Sequence, residues 1–481
     1  MELATASLYS SVDFVALAKN DAAFKQIWQA SKKRLDFSDP ETVQILSKAI
    51  LKTDFGLQLE VPEDRLCPTI PNRWNYVAWL HGLLDSTSPD YSGKYDQERE
   101  VVGLDIGAGA SAIYSMLCLR ARPKWHMCAT DIDKKSFESG ARNLALNGLM
   151  TRTTLLQTIE GQPLIPLAAL GKSKLDFTIC NPPFFDSPAE MQGSLEGEGK
   201  ATKPNAVCTG AEVEMVCPGG DLGFVTRIVE ESLVLREKVQ WYSSMFGKLE
   251  SAKAIITLLK AHGITNWAVG IIDTGSSTKR WTVAWSFMDL RPRNGTARIE
   301  PIAHEFLPFP TAHSIALRPS VDVLQVLRDV DKLLEALDVV WTWDRKASIG
   351  VGEATQNVWS RGYRRAQMRK AKERDDKTAP EDSMHDVANV KGKGKGNEKA
   401  EYAPADETDD AQDAMAIDAT VSPADAAADQ AQDPGDAKVQ LAFRVRVVMT
   451  GRYVELEWLR GSDQKLWESF CGFMRTQSKK W

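Results

Sequence analysis

The chain is poor in everything that builds a disulfide framework or a structural metal site. Its seven cysteines, at 67, 118, 128, 180, 208, 217 and 471, form no CxxC pair, and its six histidines form no HxH or HExxH. A reduced intracellular protein without zinc is therefore expected. No apolar run approaches the roughly 18 residues of a membrane span. Residues 1–19 lack a basic region followed by an apolar one, so no secretory signal is expected either. What the chain does have is length and apolar content. Its 481 residues, 43% of them hydrophobic, are enough for two or three domains with a sizeable core.

The net charge of −6 misrepresents most of the chain. Residues 400–437 hold eleven Asp and Glu and no Lys or Arg, and without them the balance becomes +5. Such an acidic tract stays solvated. Just before it, Lys391-Gly392-Lys393-Gly394-Lys395-Gly396 is low-complexity as well.

Residues 1–90 read as helical. Phe14, Leu17, Phe24, Ile27 and Trp28 fall near helical spacing, and Asp39-Pro40-Glu41 is a cap and first turn for a helix through about Lys52. A third helix over 72–84 carries Trp74, Val77, Ala78 and Leu80. Lys32-Lys33-Arg34 could touch a phosphate backbone, although three basic residues at a helix end are more often just a solvated end. Residues 86–100 are a polar linker.

A buried strand over 101–106 then runs into Gly107-Ala108-Gly109, with a helix over about 111–119. Glycine permits the tight turn and the close approach of a ligand to backbone. No third glycine follows at dinucleotide-binding spacing. A second strand over 125–130 ends at Asp131, placed to accept from two ribose hydroxyls, with Asp133 as competitor. A helix over 134–146 follows. A further strand over 175–180 stops at Asn181-Pro182-Pro183-Phe184, because two prolines continue neither a ladder nor a helix.

At a strand end of a doubly wound sheet, the Asn181 amide oxygen and the Pro182 carbonyl offer two acceptors to one planar –NH2 group, and Phe184 offers a face for a ring. Glycine turn, then acid, then Asn-Pro-Pro-Phe is the order of S-adenosylmethionine-dependent methyltransferases that act on amines. Beyond these, 228–239 reads as an amphipathic helix, 251–261 as a helix, and 263–272 and 281–287 as the last two strands.

Several segments resemble one family. They are Pro68-Thr69-Ile70-Pro71-Asn72-Arg73-Trp74-Asn75-Tyr76, Asp105-Ile106-Gly107-Ala108-Gly109-Ala110-Ser111 and Cys180-Asn181-Pro182-Pro183-Phe184-Phe185, followed by Trp241-Tyr242-Ser243-Ser244-Met245 and Arg280-Trp281-Thr282-Val283-Ala284-Trp285-Ser286. The family is the methyltransferase-like protein 16 group of RNA adenine-N6 methyltransferases. It includes the U6 small nuclear RNA enzyme and a related bacterial ribosomal-RNA enzyme. The resemblance covers roughly residues 10–290.

It implies an α/β, Rossmann-like S-adenosylmethionine-dependent methyltransferase acting on an unpaired adenosine in structured RNA, with U6 small nuclear RNA as target and the nucleus or cytoplasm as location. Asn181, Pro182, Pro183 and Phe184 would be catalytic. Arg73, Gly107, Gly109, Ser111, Asp131 and Asn181 would hold the cofactor, with the Arg73 guanidinium donating to the cofactor's carboxylate. Asp131 stands where the eukaryotic members more often have Glu. The loop 186–209 is acid-leaning, with Glu190, Glu196, Glu198, Lys200 and Lys203, where the nuclear enzymes are arginine-rich.

The implied plan is an N-terminal helical RNA-binding module (1–90), a methyltransferase domain (91–295) and a small C-terminal α+β domain in two parts (296–377 and 438–481), interrupted by a disordered insertion (378–437). In the C-terminal domain 321–337 reads as a helix, 339–343 as a strand, and 359–374 as a basic helix. Residues 439–450 and 453–458 read as a hairpin, and 463–474 as a helix. Two other functions fit parts of this pattern. A protein glutamine-N5 methyltransferase uses the same Asn-Pro-Pro turn, usually with Tyr. A non-catalytic RNA-binding protein could keep the fold, although the intact Asn181, Phe184, Gly107 and Asp131 speak against it.

Overall fold

The computed structural model describes residues 8–196, 210–275, 279–299, 302–378 and 438–481, without the side chains of 194–196 and 371–378. The Lys-Gly run, the acidic tract, and Glu198, Lys200 and Lys203 of the loop lie outside them, as does the side chain of Glu196. The chain divides into two compact units, Met1–Val358 with Val439–Trp481, and Trp359–Lys438. Within the second, the basic segment is a helix, Arg361–Thr378, on which Arg364, Arg365 and Arg369 are exposed.

The first unit opens with α1 (Phe14–Asn20), α2 (Ala22–Ala30), α3 (Pro40–Ile50) and α4 (Ile70–Ser86). Asp39 caps α3 by accepting from the Thr42 N–H at 2.9 Å, with Pro40 in the first turn, where a missing N–H costs nothing. A single π-turn, Leu51–Phe55, continues α3 and stops at Gly56, whose φ of +62° only glycine adopts freely. These helices have no core of their own. Leu17, Phe24, Ile50, Leu51, Trp74 and Leu80 belong to one apolar cluster with Val101, Ile113, Phe177 and Trp241 of the sheet region.

That sheet alternates with helices: β1 (Val101–Ile106), α5 (Ile113–Ala121), β2 (Trp125–Asp131), α6 (Lys134–Leu146), β3 (Thr153–Gln157) and β4 (Leu175–Cys180). Then come α7 (Pro188–Glu196), α8 (Glu212–Met215), α9 (Gly220–Leu235), β5 (Val239–Phe246), α10 (Leu249–Ala261), β6 (Asn266–Ile272) and β7 (Arg280–Ser286). The strand order is β3-β2-β1-β4-β5-β7-β6, with β7 antiparallel to both neighbours. The amphipathic helix expected over 228–239 is displaced: it runs from Gly220 to Leu235, and Val239 opens β5. Every residue of β5 is buried, so no alternation marks it as a strand.

A second, five-stranded antiparallel sheet has the order β8-β12-β11-β10-β9. It is built from β8 (Ala312–Ala316), β9 (Val340–Asp344), β10 (Ile349–Ala354), β11 (Leu441–Val448) and β12 (Tyr453–Arg460), with α11 (Asn294–Ala297) before β8 and α12 (Val323–Glu335) after it. The Arg361–Thr378 helix, α13, and the final helix α14 (Gln464–Ser478) complete the described elements. The hairpin β11–β12 is thus the middle of the sheet, flanked by strands from before residue 358. β8 and β10 add to the one strand expected in that stretch. Gly350 and Gly352 weaken the strand signal of β10, but they leave room for the rings of Trp341 and Phe443. Phe443 meets Phe470 of α14 at a ring distance of 3.9 Å, and Trp458 stacks on Trp467.

Guanidinium groups, those of Arg291 and Arg444 buried, fasten the two sheets together. Arg291 donates to the Gly461 carbonyl at 2.7 Å and the Thr265 carbonyl at 3.0 Å, and lies 4.4 Å from the Trp458 ring centre. Arg444 donates to Glu457 and to the Tyr91 carbonyl, and Arg460 pairs with Asp289 at 3.0 Å. Tyr91 precedes β1, Thr265 precedes β6, and Asp289 follows the antiparallel β7. All three therefore mark the end of the large sheet opposite to the end of β4.

Candidate functional site

The strand register assembles the site. Thr130 of β2 and Cys180 of β4 both pair with Ile106 of β1. The next residue on each chain, Asp131, Gly107 and Asn181, therefore leaves three adjacent strands side by side, about 4.8 Å apart. This is the carboxyl-end crevice where doubly wound sheets take ligands.

Gly107 and Gly109 both adopt φ of +66°. A Cβ on Gly107 would meet nothing within 4 Å, so that side of the turn is open. The turn is pinned elsewhere: the Ala108 N–H donates to the Thr130 carbonyl at 2.9 Å, and the Gly109 N–H to Asp131 Oδ2 at 2.8 Å. Asp131 Oδ1 accepts from the Asp133 N–H at 2.9 Å. Burial pushes the Asp131 carboxyl upward against the pull of these N–H donors. Asp133, the competing acid, is committed to structure. It caps α6 through the Ser136 N–H at 2.8 Å and pairs with Arg65 at 2.8 Å.

Arg73 projects from α4. Its Nη1 donates to Asn181 Oδ1 at 2.9 Å and to the Tyr114 hydroxyl at 3.3 Å. Ser111 is buried just before α5, and Pro182 is buried while Asn181, Pro183 and Phe184 are half-buried. The Phe184 ring lies against Gly247, and the Arg280 guanidinium sits 5.5 Å from the ring centre. Phe185 is stitched to the chain beyond the loop: its N–H donates to the Met215 carbonyl, and its carbonyl accepts from Cys217, each at 3.0 Å.

Two carboxyl groups complete this region. Asp105, within the quoted glycine motif, is 1% exposed. One of its oxygens accepts from the Ser115 N–H at 3.1 Å and hydroxyl at 2.9 Å, and the other has no partner. Burial pushes this carboxyl up to about 7. Glu214 has no signal in the sequence, since it follows a loop of irregular composition. Its Oε2 accepts from the Leu66 and Ala211 N–H groups, each at 3.0 Å, and burial raises its pKa. Among the described residues no group of three His, Cys, Asp or Glu could hold a metal ion, and no helix is long and apolar enough to cross a membrane.

An open glycine turn, an orphaned buried carboxylate oxygen and a half-buried guanidinium suit a ligand that carries an amino-acid end and a ribose. Residues 6–289 match the model of a family described as RNA methyltransferase. A U6 small nuclear RNA (adenine-(43)-N(6))-methyltransferase of Schizosaccharomyces pombe is 35% identical over 338 residues, 69% of this chain and 82% of that protein. RNA N(6)-adenosine-methyltransferase METTL16 of Gallus gallus is 35% identical over 284 residues, 58% of this chain and 49% of that protein, so the chain spans about half its length. The crystal structure of the hMettl16 catalytic domain in complex with the MAT2A 3′UTR hairpin 1 is similar with a TM-score of 0.51 and 33% identity. It covers 58% of this chain and 92% of that one.

Proposed function

The chain belongs to this RNA methyltransferase family, and from that premise we propose that it methylates N6 of an unpaired adenosine in structured RNA, with U6 small nuclear RNA as target. The observation that carries the reading is the register: Asn181-Pro182-Pro183-Phe184 leaves β4 directly beside the glycine turn of β1 and the acid of β2.

S-adenosylmethionine, when bound, supplies an electrophilic sulfonium methyl group. Gly107, Gly109 and Ser111 line its amino-acid part, Arg73 binds its carboxylate, and Asp131 accepts from its ribose. The lone pair of adenine N6 is delocalised into the ring, so the protein's task is to make it available. Asn181 Oδ1, with the lone pair that Arg73 leaves free, and the Pro182 carbonyl accept the two amine hydrogens. Accepting both favours a pyramidal nitrogen aimed at the methyl group. Phe184 stacks on the base and fixes its plane, and Pro183 stiffens the turn. Positioning of this kind contributes several kcal/mol, on the order of the gain from good intramolecular orientation. The product cation is acidic and loses its proton without a dedicated base. An adenosine inside a helix costs about a few kcal/mol to unstack, which favours a bulged or looped one. A spliceosomal target makes the nucleus the site of action.

The test is methylation of total RNA with labelled cofactor, followed by digestion and mapping. N6-methyladenosine within U6 is expected. N1- or C-methylated bases without N6-methyladenosine would overturn the reading.

A further inference from the structure

We propose that Glu214 is a second cofactor-binding carboxylate, whose Oε1 accepts from a ribose hydroxyl of S-adenosylmethionine alongside Asp131. This rests on the functional reading above. It begins from how little of Asp131 remains. Each of its oxygens already accepts a backbone N–H, at 2.8 and 2.9 Å, and as an aspartate it is one methylene shorter than glutamate. Two ribose hydroxyls bring two donors to this corner, and Asp131 meets them with one leftover lone pair on each oxygen.

Glu214 supplies a further acceptor. Its Oε2 is held by two N–H groups from separate segments, Leu66 of the link before α4 and Ala211 of the chain entering α8. This anchoring holds Oε2 in place. Oε1 then lies beside the glycine turn: a Cβ built on Gly109 would be 3.7 Å from it. No described residue donates to Oε1. The position follows from the fold, because the pairing of Phe185 with 215–217 sets α8 against the end of β4.

The surroundings make a donor ligand favourable. Asp131 raises the proton affinity of Glu214 by like-charge proximity, on top of burial, and Arg65 is the cation that offsets it. Nothing in that arrangement fills the open oxygen. A neutral donor such as a ribose hydroxyl relieves the site without a further buried charge. The place matches as well, since the acid after the second strand marks the ribose end of the crevice.

The experiment is calorimetric titration of the full chain with S-adenosylhomocysteine and with 5′-methylthioadenosine, which keeps ribose and adenine but lacks the amino-acid end. Glu214→Gln can still accept from Leu66 and Ala211 through its amide oxygen, but it turns an NH2 donor toward the ligand. It should weaken both ligands by about the same factor, roughly tenfold or more, with an unchanged melting temperature. Glu214→Asp keeps the charge and withdraws the oxygens; it serves if the Gln variant does not fold, and it too should weaken both. Unchanged affinity overturns the inference, and tighter binding would mean that the carboxylate occupies cofactor space. A loss confined to S-adenosylhomocysteine would assign Glu214 to the amino-acid end. Wild-type protein that binds neither ligand would overturn the functional reading and this inference with it.

Discussion

Arg73 Nη1 and Asn181 Oδ1, 108 positions apart in sequence, meet at 2.9 Å. A guanidinium only donates, so this contact decides which end of the Asn181 amide is the oxygen and holds it still. The residue assigned to the cofactor carboxylate and the residue assigned to the amine are therefore one unit. Cofactor binding and amine orientation are coupled through a single hydrogen bond.

Asn181→Ala should cut turnover by about two orders of magnitude or more, while cofactor affinity falls much less. Arg73→Ala should weaken the cofactor by about 1–3 kcal/mol and lower turnover as well, because the amide loses its anchor. The double variant should lose less than the sum of the two. Calorimetry and single-turnover kinetics on the three variants decide it. Strict additivity would mean that the contact does not orient the amide.

The Phe184 ring depends on the absence of a side chain at 247. A Cβ there would lie 2.9 Å from Phe184 Cδ1, closer than real contacts allow. Gly247→Ala should push the ring aside and lower turnover by about 10- to 100-fold, in line with the cost of small misplacements. Cofactor affinity should stay unchanged. Equal loss of both in a folded variant would assign Gly247 to the sheet rather than to the ring.

Asp105 predicts a pH dependence. Burial raises its carboxyl to about 7, against about 3.9 in an unfolded chain. The folded state therefore holds this proton more tightly than the unfolded one. That contribution to stability is complete below the unfolded value and is lost as pH rises toward 7. Asp105→Asn keeps an oxygen for Ser115 and does not titrate. Measured without cofactor, the melting temperature of wild type minus that of the variant should fall as pH rises from about 4 to about 7. A difference that stays constant with pH would show that Asp105 is not the group involved.

On α13, Arg364, Arg365 and Arg369 present three exposed charges. Replacing all three by Glu should weaken RNA binding and make the slope of log affinity against log salt shallower by about 2–3. Filter binding at several salt concentrations measures this. An unchanged slope would leave the helix out of the RNA interface.

The strand-end turns were legible because rigid residues write them. Two prolines after Asn181 and two glycines at positive φ each permit few conformations. The helix ends at Pro40 and Asp463 were legible for the same reason. β5 was hidden because both of its faces are buried, so its pattern is continuous and reads equally as helix. β10 was hidden by Gly350 and Gly352, whose value lies in the rings of Trp341 and Phe443 packed over them. Glu214 and the Arg73–Asn181 bond depend on long-range pairing, which no local spacing records.

The topology of the second sheet supports a last prediction. β11 pairs with β10 on one side and β12 on the other, and β12 in turn pairs with β8. Ending the chain at residue 378 would remove the middle of the sheet and leave β8 without a neighbour. It would also strip Arg291 of the Gly461 carbonyl and the Trp458 ring. A buried guanidinium left with Thr265 alone costs more than the hydrogen bonds it lost. Replacing residues 380–436 by a Gly-Ser linker of about fifteen residues should act in the opposite direction. Such a linker is long enough to run back along the 18 residues of α13, about 27 Å at helical rise. Closure cost grows with the logarithm of loop length, so shortening the segment about fourfold should add about 1 kcal/mol. Chemical denaturation should show the truncated chain several kcal/mol less stable and the linker variant slightly more stable than wild type. If the truncated chain keeps its stability, the second sheet does not support the first. If the linker variant unfolds, residues 380–436 carry structure of their own.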